Sequence, residues 1–205
     1  MTERTPVDLW FDPFCPWAWM TSRWLVEVEK VRSIEPRWHI MSLTVLNEDK
    51  DVPESYRTQI ADAMGPVRVV AAVQAKYDTE TVGRLYTELG VRFHNQNRKG
   101  TDTLRETVEE ALEAAGLDRG FADAMDSTEF DEVVRASHAD GIDRVGQEVG
   151  TPVISVEGVS FFGPVISPAP KGEEAGRLWD GVLLVAGTDG FFELKRSRTR
   201  SPIFD

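Results

Sequence analysis

The hydrophobic pattern at the start of the chain alternates between strand and helix. Residues 7–11 form a short apolar run that is typical of a buried strand. Apolar residues then recur at helical spacing from 16 to 31, and Pro16 suits the first helical position because an N–H there would have no helical partner. Residues 37–43 alternate between polar and apolar like a second strand. The predicted order is strand, helix, strand, with Cys15 where the first strand meets the helix.

Helical periodicity dominates the middle of the chain. Thr103 and Glu106 have the spacing of a capping box, which indicates a helix start near them. The predicted helices cover residues 53–64, 66–77 and 79–93, a helix from about 103 that ends at Gly116, a short helix at 121–125, and a longer one at 127–149 that is interrupted near Gly141.

Strand patterns return towards the C-terminus. Residues 152–156 and 159–162 flank Glu157 and Gly158, a pair that suits a tight hairpin turn. Residues 173–186 are predicted to form a closing helix, and FFELKR at 191–196 either continues it or begins an ordered tail. A strand–helix–strand opening implies parallel strands, and the hairpin adds antiparallel ones. We therefore predict an α/β sheet with a helical insertion between its two halves.

Length and composition are those of an ordinary globular protein. The 205 residues fit one domain, 1–205, with its core at about 5–50 and 140–190 and a helical insertion at about 51–139. No apolar run is long enough for a membrane span. The N-terminus lacks the basic and apolar parts of a secretory signal, so we expect a cytoplasmic protein.

The charge of the chain bears on its partners. A formal net charge of −12 argues against nucleic acid, because phosphate binding needs concentrated positive charge. The basic tail LKRSRTR is a local exception that could hold an anionic ligand, although such runs more often face water or pair with carboxylates. The oligomeric state is open, and a homodimer is one alternative.

Cys15 is the candidate reactive group. It is the only cysteine, so an intramolecular disulfide is excluded, and the residue is either a small buried apolar group or a reactive thiol. A helix N-terminus presents unpaired N–H groups and a partial positive charge, which favour the thiolate. We expect the pKa of Cys15 to be lowered from about 8.5 into the range of about 3.5–7.5, and so predict a reactive thiol.

Several other residues are candidates for the same site. Pro152 either marks a strand start or forms a cis peptide bond with Thr151. The cluster His94, Asn95, Gln96 and Asn97 either binds a polar ligand or serves as helix capping and turn. Trp17 and Trp19 cannot both point inward beside Trp24, so one of them is expected to line a pocket, and we include Trp19 among the binding candidates.

The chain offers few signals for bound metals or nucleotides. His39, His94 and His138 are too widely scattered to give metal-ligand spacing, and we interpret His39 and His138 as structural. No Gly-x-Gly-x-x-Gly stretch is present, so neither a metal nor a Rossmann-type nucleotide site is predicted.

Together, these motifs resemble the thioredoxin superfamily and, within it, the DsbA-like branch with a helical insertion. Cys15-Pro16-Trp17 matches the first three positions of the Cys-x-x-Cys motif, and Thr151-Pro152 matches the cis-proline loop that faces it. The blocks WFDPFCPWAWMTSRW, MSLTVLNE, HNQN, VGTPVISVEGVSFFGPV, GEEAGRLWD and FFELKRSRT closely resemble the actinobacterial mycothiol-dependent nitroreductase family.

That resemblance implies a function. Members are cytosolic reductases that take electrons from the low-molecular-weight thiol mycothiol and act on disulfides or nitro compounds. Cys15 would be the nucleophile, with Pro16 and Trp17 tuning it and a backbone group of Thr151 pairing with the bound thiol or substrate. The loop at Phe162, Gly163 and Pro164 would lie near Cys15 as an apolar wall, and HNQN would contact the sugar part of mycothiol.

Ala18 departs from the family motif, which typically has a second cysteine at this position. Without a second sulfur, a mixed disulfide on Cys15 must await an external thiol. Two explanations remain open, a natural monothiol enzyme and an engineered replacement. Two other functions compete with the reductase, namely a kappa-type glutathione-transferase-like or isomerase activity that uses a bound thiol, and a binding module without catalysis.

Overall fold

The computed structural model describes residues 4–204 of the chain. Its sheet has four strands, which are β1 (Thr5–Phe11), β2 (Ile34–Ile40), β3 (Val153–Val156) and β4 (Val159–Phe162). They lie in the order β2-β1-β3-β4, in which β1 and β2 are parallel and the other two pairs are antiparallel. This is the predicted combination of a parallel opening and an antiparallel hairpin.

Eight α-helices accompany the sheet within residues 4–204. They are α1 (Pro16–Glu29), α2 (Leu43–Asn47), α3 (Glu54–Ile60), α4 (Met64–Gln74), α5 (Thr79–Gly90), α6 (Leu104–Ala114), α7 (Asp131–Ile142) and α8 (Gly172–Ala186). A π-helical turn at Val91–Asn95 continues α5, and 3-10 turns lie at Thr101–Thr103 and Arg119–Asp126. The helices α2 to α7 lie between β2 and β3 in the sequence, and α3 to α6 fall within the range 51–139 given for the helical insertion.

The two faces of β1 bury different groups. Val7, Leu9 and Phe11 belong to the main core together with apolar residues of α1. Trp10 points to the other side, where it packs with Ile142 at the end of α7. Because successive side chains of a strand alternate between faces, one apolar run contributes to both sides of the sheet.

The second strand differs from its prediction. It spans Ile34–Ile40 rather than 37–43, so it includes Pro36. A proline is tolerated there because β2 is an edge strand and needs no N–H partner on its outer side. Leu43, predicted as the last residue of this strand, instead begins α2, which Ser42 caps by accepting the Val45 N–H.

The helix boundaries differ in the insertion as well. The predicted helix at 53–64 ends at Ile60, and α4 begins at Met64. The capping box does not form, because the side chain of Thr103 makes no capping hydrogen bond. The helix predicted to be interrupted near Gly141 instead includes this residue, and it ends at Ile142. A Cβ at Gly141 would lie 2.7 Å from Cδ1 of Trp10, so the glycine allows the indole to approach α7 closely.

The C-terminal part follows the predicted hairpin. Glu157 and Gly158 have φ values of 50° and 83°, as a two-residue hairpin turn requires. After α8, residues 187–204 form no helix or strand, so the FFELKR sequence does not continue the helix. No helix within residues 4–204 has the length and hydropathy needed to cross a membrane.

Candidate active site

Cys15 occupies the N-cap of α1, directly after the first strand. Pro16 follows at the first helical position, as predicted. The Cys15 N–H donates to the Asp12 carbonyl at 2.9 Å, and the Ala18 N–H points at the Cys15 Sγ atom at 3.4 Å. The chain therefore turns sharply before the helix and aims the thiol back at the free amides of the first turn.

The loop before β3 lies opposite this thiol. The peptide bond between Thr151 and Pro152 is cis, and the carbonyl oxygen of Thr151 lies 3.5 Å from the Cys15 Sγ atom. The Thr151 hydroxyl donates to the Trp10 carbonyl at 2.8 Å, which fastens the loop to the end of β1. The structure thus brings together Cys15 and Thr151-Pro152, which are more than a hundred residues apart in the sequence.

The ionisation of Cys15 is opposite to the sequence-based expectation. Burial, with a smaller contribution from the negative charge of Asp12, raises the pKa of the Cys15 thiol to about 11, against the lowering effects of the Ala18 and Trp17 N–H groups and of Lys99. Only 5% of the residue is exposed. The helix N-terminus does favour the anion, but the loss of hydration outweighs it.

Asp12 is a buried carboxylate that sequence reasoning did not single out. Its two oxygens accept the N–H groups of Phe14 at 2.7 Å and Leu43 at 2.6 Å. Burial raises its pKa to about 6, against the lowering effect of those hydrogen bonds and of Lys99. The sequence signal was an aspartate two residues before the phenylalanine, the spacing at which this side chain accepts a local N–H in a turn.

The segment after α5 is fastened to the same loop. The Nε2 atom of His94 lies 2.9 Å from the Pro13 carbonyl oxygen, and because a carbonyl only accepts, Nε2 carries the hydrogen. Burial lowers the pKa of His94 to about 3, so the ring is neutral at physiological pH. Lys99 donates to the Phe14 carbonyl at 2.9 Å. This segment therefore binds the two successive carbonyl groups that precede Cys15, those of Pro13 and Phe14.

The two tryptophans near Cys15 have different environments. Trp19 is only 2% exposed, and its indole N–H donates to the Asn95 side chain at 3.2 Å. Trp17 is half-buried, and the guanidinium of Arg198 lies 5.3 Å from the centroid of its ring. Trp17 is thus the one of the two whose ring is accessible from solvent.

The remaining candidates lie at the edge of the site. The loop at Gly163 and Pro164 is tied to α1, because the Thr21 hydroxyl donates to the Pro164 carbonyl at 2.7 Å. Phe162 is 40% exposed at the end of β4. Asn97 is exposed in a left-handed backbone conformation with a φ of 55°, which is the chemistry of a turn.

Tyr56 and Asn47 are neighbours of the site that the sequence pattern did not reveal. Tyr56 is half-buried on α3, and its pKa is raised by burial and by the charges of Cys15 and Asp12. Its phenol hydrogen-bonds the side chain of Asn47, which lies at the end of α2. Helices α2 and α3 therefore each contribute a polar side chain to this pair.

The C-terminal tail also returns to this region. The ring of Phe204 lies 5.4 Å from that of His94, and the Ile203 N–H donates to the Ser167 hydroxyl at 2.8 Å. With Arg198 over Trp17, the tail has contacts on both sides of the cysteine loop. Among residues 4–204, no three histidine, cysteine or acidic side chains are grouped as a metal site would need.

Comparison with known proteins identifies the family. The family model described as the mycothiol-dependent nitroreductase Rv2466c matches residues 14–196, which include Cys15, the cis-proline loop and most of the tail. This chain belongs to the Rv2466c-like family. The protein is accordingly a thiol oxidoreductase, and Cys15 lies in the matched part of the chain.

The chain is also similar to a curated protein and to solved structures. The uncharacterized protein Rv2286c of Mycobacterium tuberculosis is 28% identical over 97% of this chain and 85% of its own. The cytosolic disulfide reductase DsbM from Pseudomonas aeruginosa, solved with GSH, is 19% identical with a TM-score of 0.52, covering 87% of this chain and 99% of that one.

Two further structures extend the comparison. The oxidoreductase DsbA from Xylella fastidiosa is 14% identical with a TM-score of 0.53, covering 89% of this chain and 86% of its own. A 2-hydroxychromene-2-carboxylate isomerase is 12% identical with a TM-score of 0.57, and the match covers 87% of this chain and 94% of that one. At these identities the likeness shows the fold, and the Rv2466c-like protein has the predicted thioredoxin-like, DsbA-like fold with a helical insertion.

Proposed function

We propose that the Rv2466c-like protein is a cytoplasmic monothiol reductase that uses electrons from mycothiol to reduce disulfides or nitro compounds. The observation that carries this proposal is the position of Cys15 at the N-cap of α1, with its Sγ atom 3.5 Å from the carbonyl oxygen of Thr151. A disulfide that enters between the helix and the cis-proline loop places its sulfur against Cys15 and its backbone or amide against Thr151.

Two thiol exchanges complete the reaction. The Cys15 thiolate attacks one sulfur of the substrate disulfide, forms a mixed disulfide, and releases the other sulfur as a thiolate that takes up a proton. The thiolate of mycothiol then attacks the mixed disulfide and regenerates Cys15, leaving a disulfide between mycothiol and the substrate half. With a nitro compound, two thiols supply two electrons and two protons, and the products are a nitroso compound, water and one disulfide.

Ala18 makes the second exchange intermolecular. Its side chain is fully buried at the position where a resolving cysteine would stand, and its N–H points at the Cys15 sulfur. The methyl group cannot displace a bound thiol, so the lifetime of a mixed disulfide depends on the external thiol. The same amide favours the leaving Cys15 thiolate, because it donates towards the sulfur.

The surroundings of Cys15 suit a thiol with a polar body. Tyr56 and Asn47 supply a phenol and an amide on one side, and His94, Asn95 and Asn97 are the proposed contacts for the sugar part of mycothiol. Phe162, Gly163 and Pro164, together with Trp17, form the proposed apolar wall for a flat substrate. A net charge of −12 fits small-molecule partners rather than nucleic acid.

Intact-mass measurement after incubation with the disulfide of mycothiol tests the proposal. The expected result is the addition of one mycothiol to Cys15, reversed by excess reduced mycothiol. Cys15→Ser is the matched control and should stay unmodified, since no other cysteine exists. An unmodified wild-type protein that also fails to turn over disulfides and nitro compounds would sink the proposal.

A second function is favoured by the raised pKa of Cys15. Burial raises this pKa to about 11, so the thiol keeps its hydrogen at neutral pH and can donate it to the sulfur of a bound thiolate. The protein would then activate a bound thiol for conjugation or isomerisation without forming a protein disulfide, as in the kappa-type alternative. Turnover of such substrates with no mass increase on Cys15 would favour this second function over the first.

A further inference from the structure

Lys99 lies beside the reactive loop although it follows Cys15 by more than eighty residues. Its ammonium donates to the carbonyl oxygen of Phe14 at 2.9 Å and lies 5.3 Å from the centroid of the Phe14 ring. That carbonyl belongs to the peptide bond whose nitrogen is that of Cys15. Asp12 accepts the N–H of the same phenylalanine. The backbone of Phe14 is therefore bound by a carboxylate at its N–H and by an ammonium at its carbonyl.

The ammonium of Lys99 has no carboxylate partner within ion-pair distance among residues 4–204. The adjacent Arg98, by contrast, forms a two-pronged pair with Glu110 at 2.5 Å and 3.0 Å. Lys99 is also half-buried, and a cation removed from water without a counter-ion is costly. An ordinary surface ion pair therefore does not explain its position.

The groups that act electrostatically on Cys15 come from four parts of the fold. They are Asp12 before the helix, Tyr56 on α3, Tyr86 on α5 and Lys99 after α5. The pKa values of both tyrosines are raised, chiefly by burial, so these phenols are neutral at physiological pH. Of the four groups, Lys99 alone brings positive charge to the sulfur.

We propose that Lys99 is a positioning residue for the reaction of Cys15, because its ammonium fixes the Phe14 carbonyl and supplies the positive charge that stabilises the sulfur anion. This inference rests on the proposed function of Cys15 as the nucleophile. Burial lowers the pKa of Lys99 to about 8, while the charges of Cys15 and Asp12 raise it, so the ammonium is mostly protonated at neutral pH. Its charge then lowers the pKa of Cys15 against the larger effect of burial.

The test compares the alkylation rate of Cys15 by iodoacetamide across pH in three variants. Lys99→Gln keeps an N–H donor for the Phe14 carbonyl but removes the charge, so its reaction should be about tenfold slower than that of the wild type below about pH 8, where Lys99 is charged. The difference should shrink at higher pH, where wild-type Lys99 is neutral. Lys76→Gln is the matched control, because Lys76 also lies over an aromatic ring, 5.1 Å from that of Phe121. It should leave the profile unchanged.

The variant Lys99→Arg separates the effect of the positive charge at residue 99 from the effect of side-chain packing there. Arginine stays charged at high pH, whereas the pKa of Lys99 is about 8. The ratio of the Arg variant's rate to that of the wild type should therefore rise as the pH passes about 8. This variant keeps the inference testable even if the Gln variant does not fold.

The outcomes are distinct. A folded Lys99→Gln protein with the wild-type profile, or a rate ratio for Lys99→Arg that stays flat across pH, overturns the role of Lys99. Alkylation needs no mycothiol, so it reports on Lys99 independently of the proposed activity. If Cys15 never accepts mycothiol, the mass measurement fails while the alkylation profiles still respond to Lys99.

Discussion

The Sγ atom of Cys15 lies 3.5 Å from the carbonyl oxygen of Thr151, although 136 residues separate the two in the chain. Because a carbonyl oxygen only accepts hydrogen bonds, this contact is made by the protonated thiol. The site therefore holds Cys15 as a neutral donor, with the helix amides on its other side.

Cys15 should react slowly with iodoacetamide at neutral pH. Burial raises its pKa to about 11, so the thiolate fraction should still increase tenfold per pH unit between about 7 and 10. The rate of mass increase on the single cysteine measures this, with N-acetylcysteine as a free-thiol reference. A rate that is already at its plateau at pH 7.5 would contradict the raised pKa and restore the thiolate expected from the helix N-terminus.

Replacing Ala18 by cysteine should create an internal disulfide with Cys15. The Ala18 amide lies 3.4 Å from the Cys15 sulfur, so a sulfur on Cβ of residue 18 comes close to it at the start of the helix. After oxidation, the variant should lose two hydrogens in mass and bind no iodoacetamide. It should also clear a mixed disulfide without added thiol, because the second sulfur attacks it directly.

Ala18→Ser is the control for that substitution. It adds a polar atom of similar size at the same fully buried position but cannot form the disulfide. If Ala18→Cys keeps two free thiols under mild oxidation, the two positions are not arranged as the structure has them.

Asp12 should make stability depend on pH in a defined window. Burial raises its pKa from the usual 3.8 to about 6, so the unfolded chain releases the proton at lower pH than the folded protein does. The titration of Asp12 stabilises the folded state fully below about pH 3.8, and this stabilisation is lost as the pH rises to about 6. Over the whole range, its contribution to the free energy of unfolding falls by about 3 kcal/mol. Asp12→Asn lacks this titration.

Chemical denaturation of both proteins at pH 4 and pH 7.5 measures the effect. The free energy of unfolding of the wild type, minus that of Asp12→Asn, should fall by about 2.4 kcal/mol between the two conditions, since Asp12 in the unfolded chain is already partly ionised at pH 4. The other carboxylates are common to both proteins and cancel in the difference. A difference that does not change with pH would mean that Asp12 is hydrated in the folded state.

Gly90 should tolerate no side chain. A Cβ at this position would lie 2.1 Å from Cζ3 of Trp19, whose ring is buried under His94. Gly90→Ala should therefore lower the free energy of unfolding by about 1–3 kcal/mol through overpacking. Thermal or denaturant unfolding measures the loss.

Gly181→Ala is the matched control for Gly90→Ala. Gly181 lies inside α8, and a Cβ there would meet nothing within 4 Å. This substitution should stabilise the protein by about 0.5–1 kcal/mol, because alanine loses less backbone freedom in a helix. Equal effects of the two substitutions would show that the contact of Trp19 with Gly90 does not exist.

Local pattern was sufficient for much of the fold. The apolar run of β1 and Pro16 at the first turn of α1 placed Cys15 at a helix start. Gly158, between two strand-like runs, defined the hairpin, because glycine readily adopts the positive φ that a two-residue turn requires. The boundaries of β2 were wrong, since Pro36 has a strand conformation only because the sheet ends there.

The sequence by itself determined the order of the elements and the place of the single thiol at the start of a helix, because both depend on residues adjacent in the chain. Tertiary structure alone decided the ionisation of Cys15, since hydration is lost only when distant helices cover the sulfur. It also brought Leu43, Lys99 and Thr151 to the segment that contains Asp12 and Cys15. Their contacts join residues far apart in the chain, and no spacing along a single chain encodes such distances.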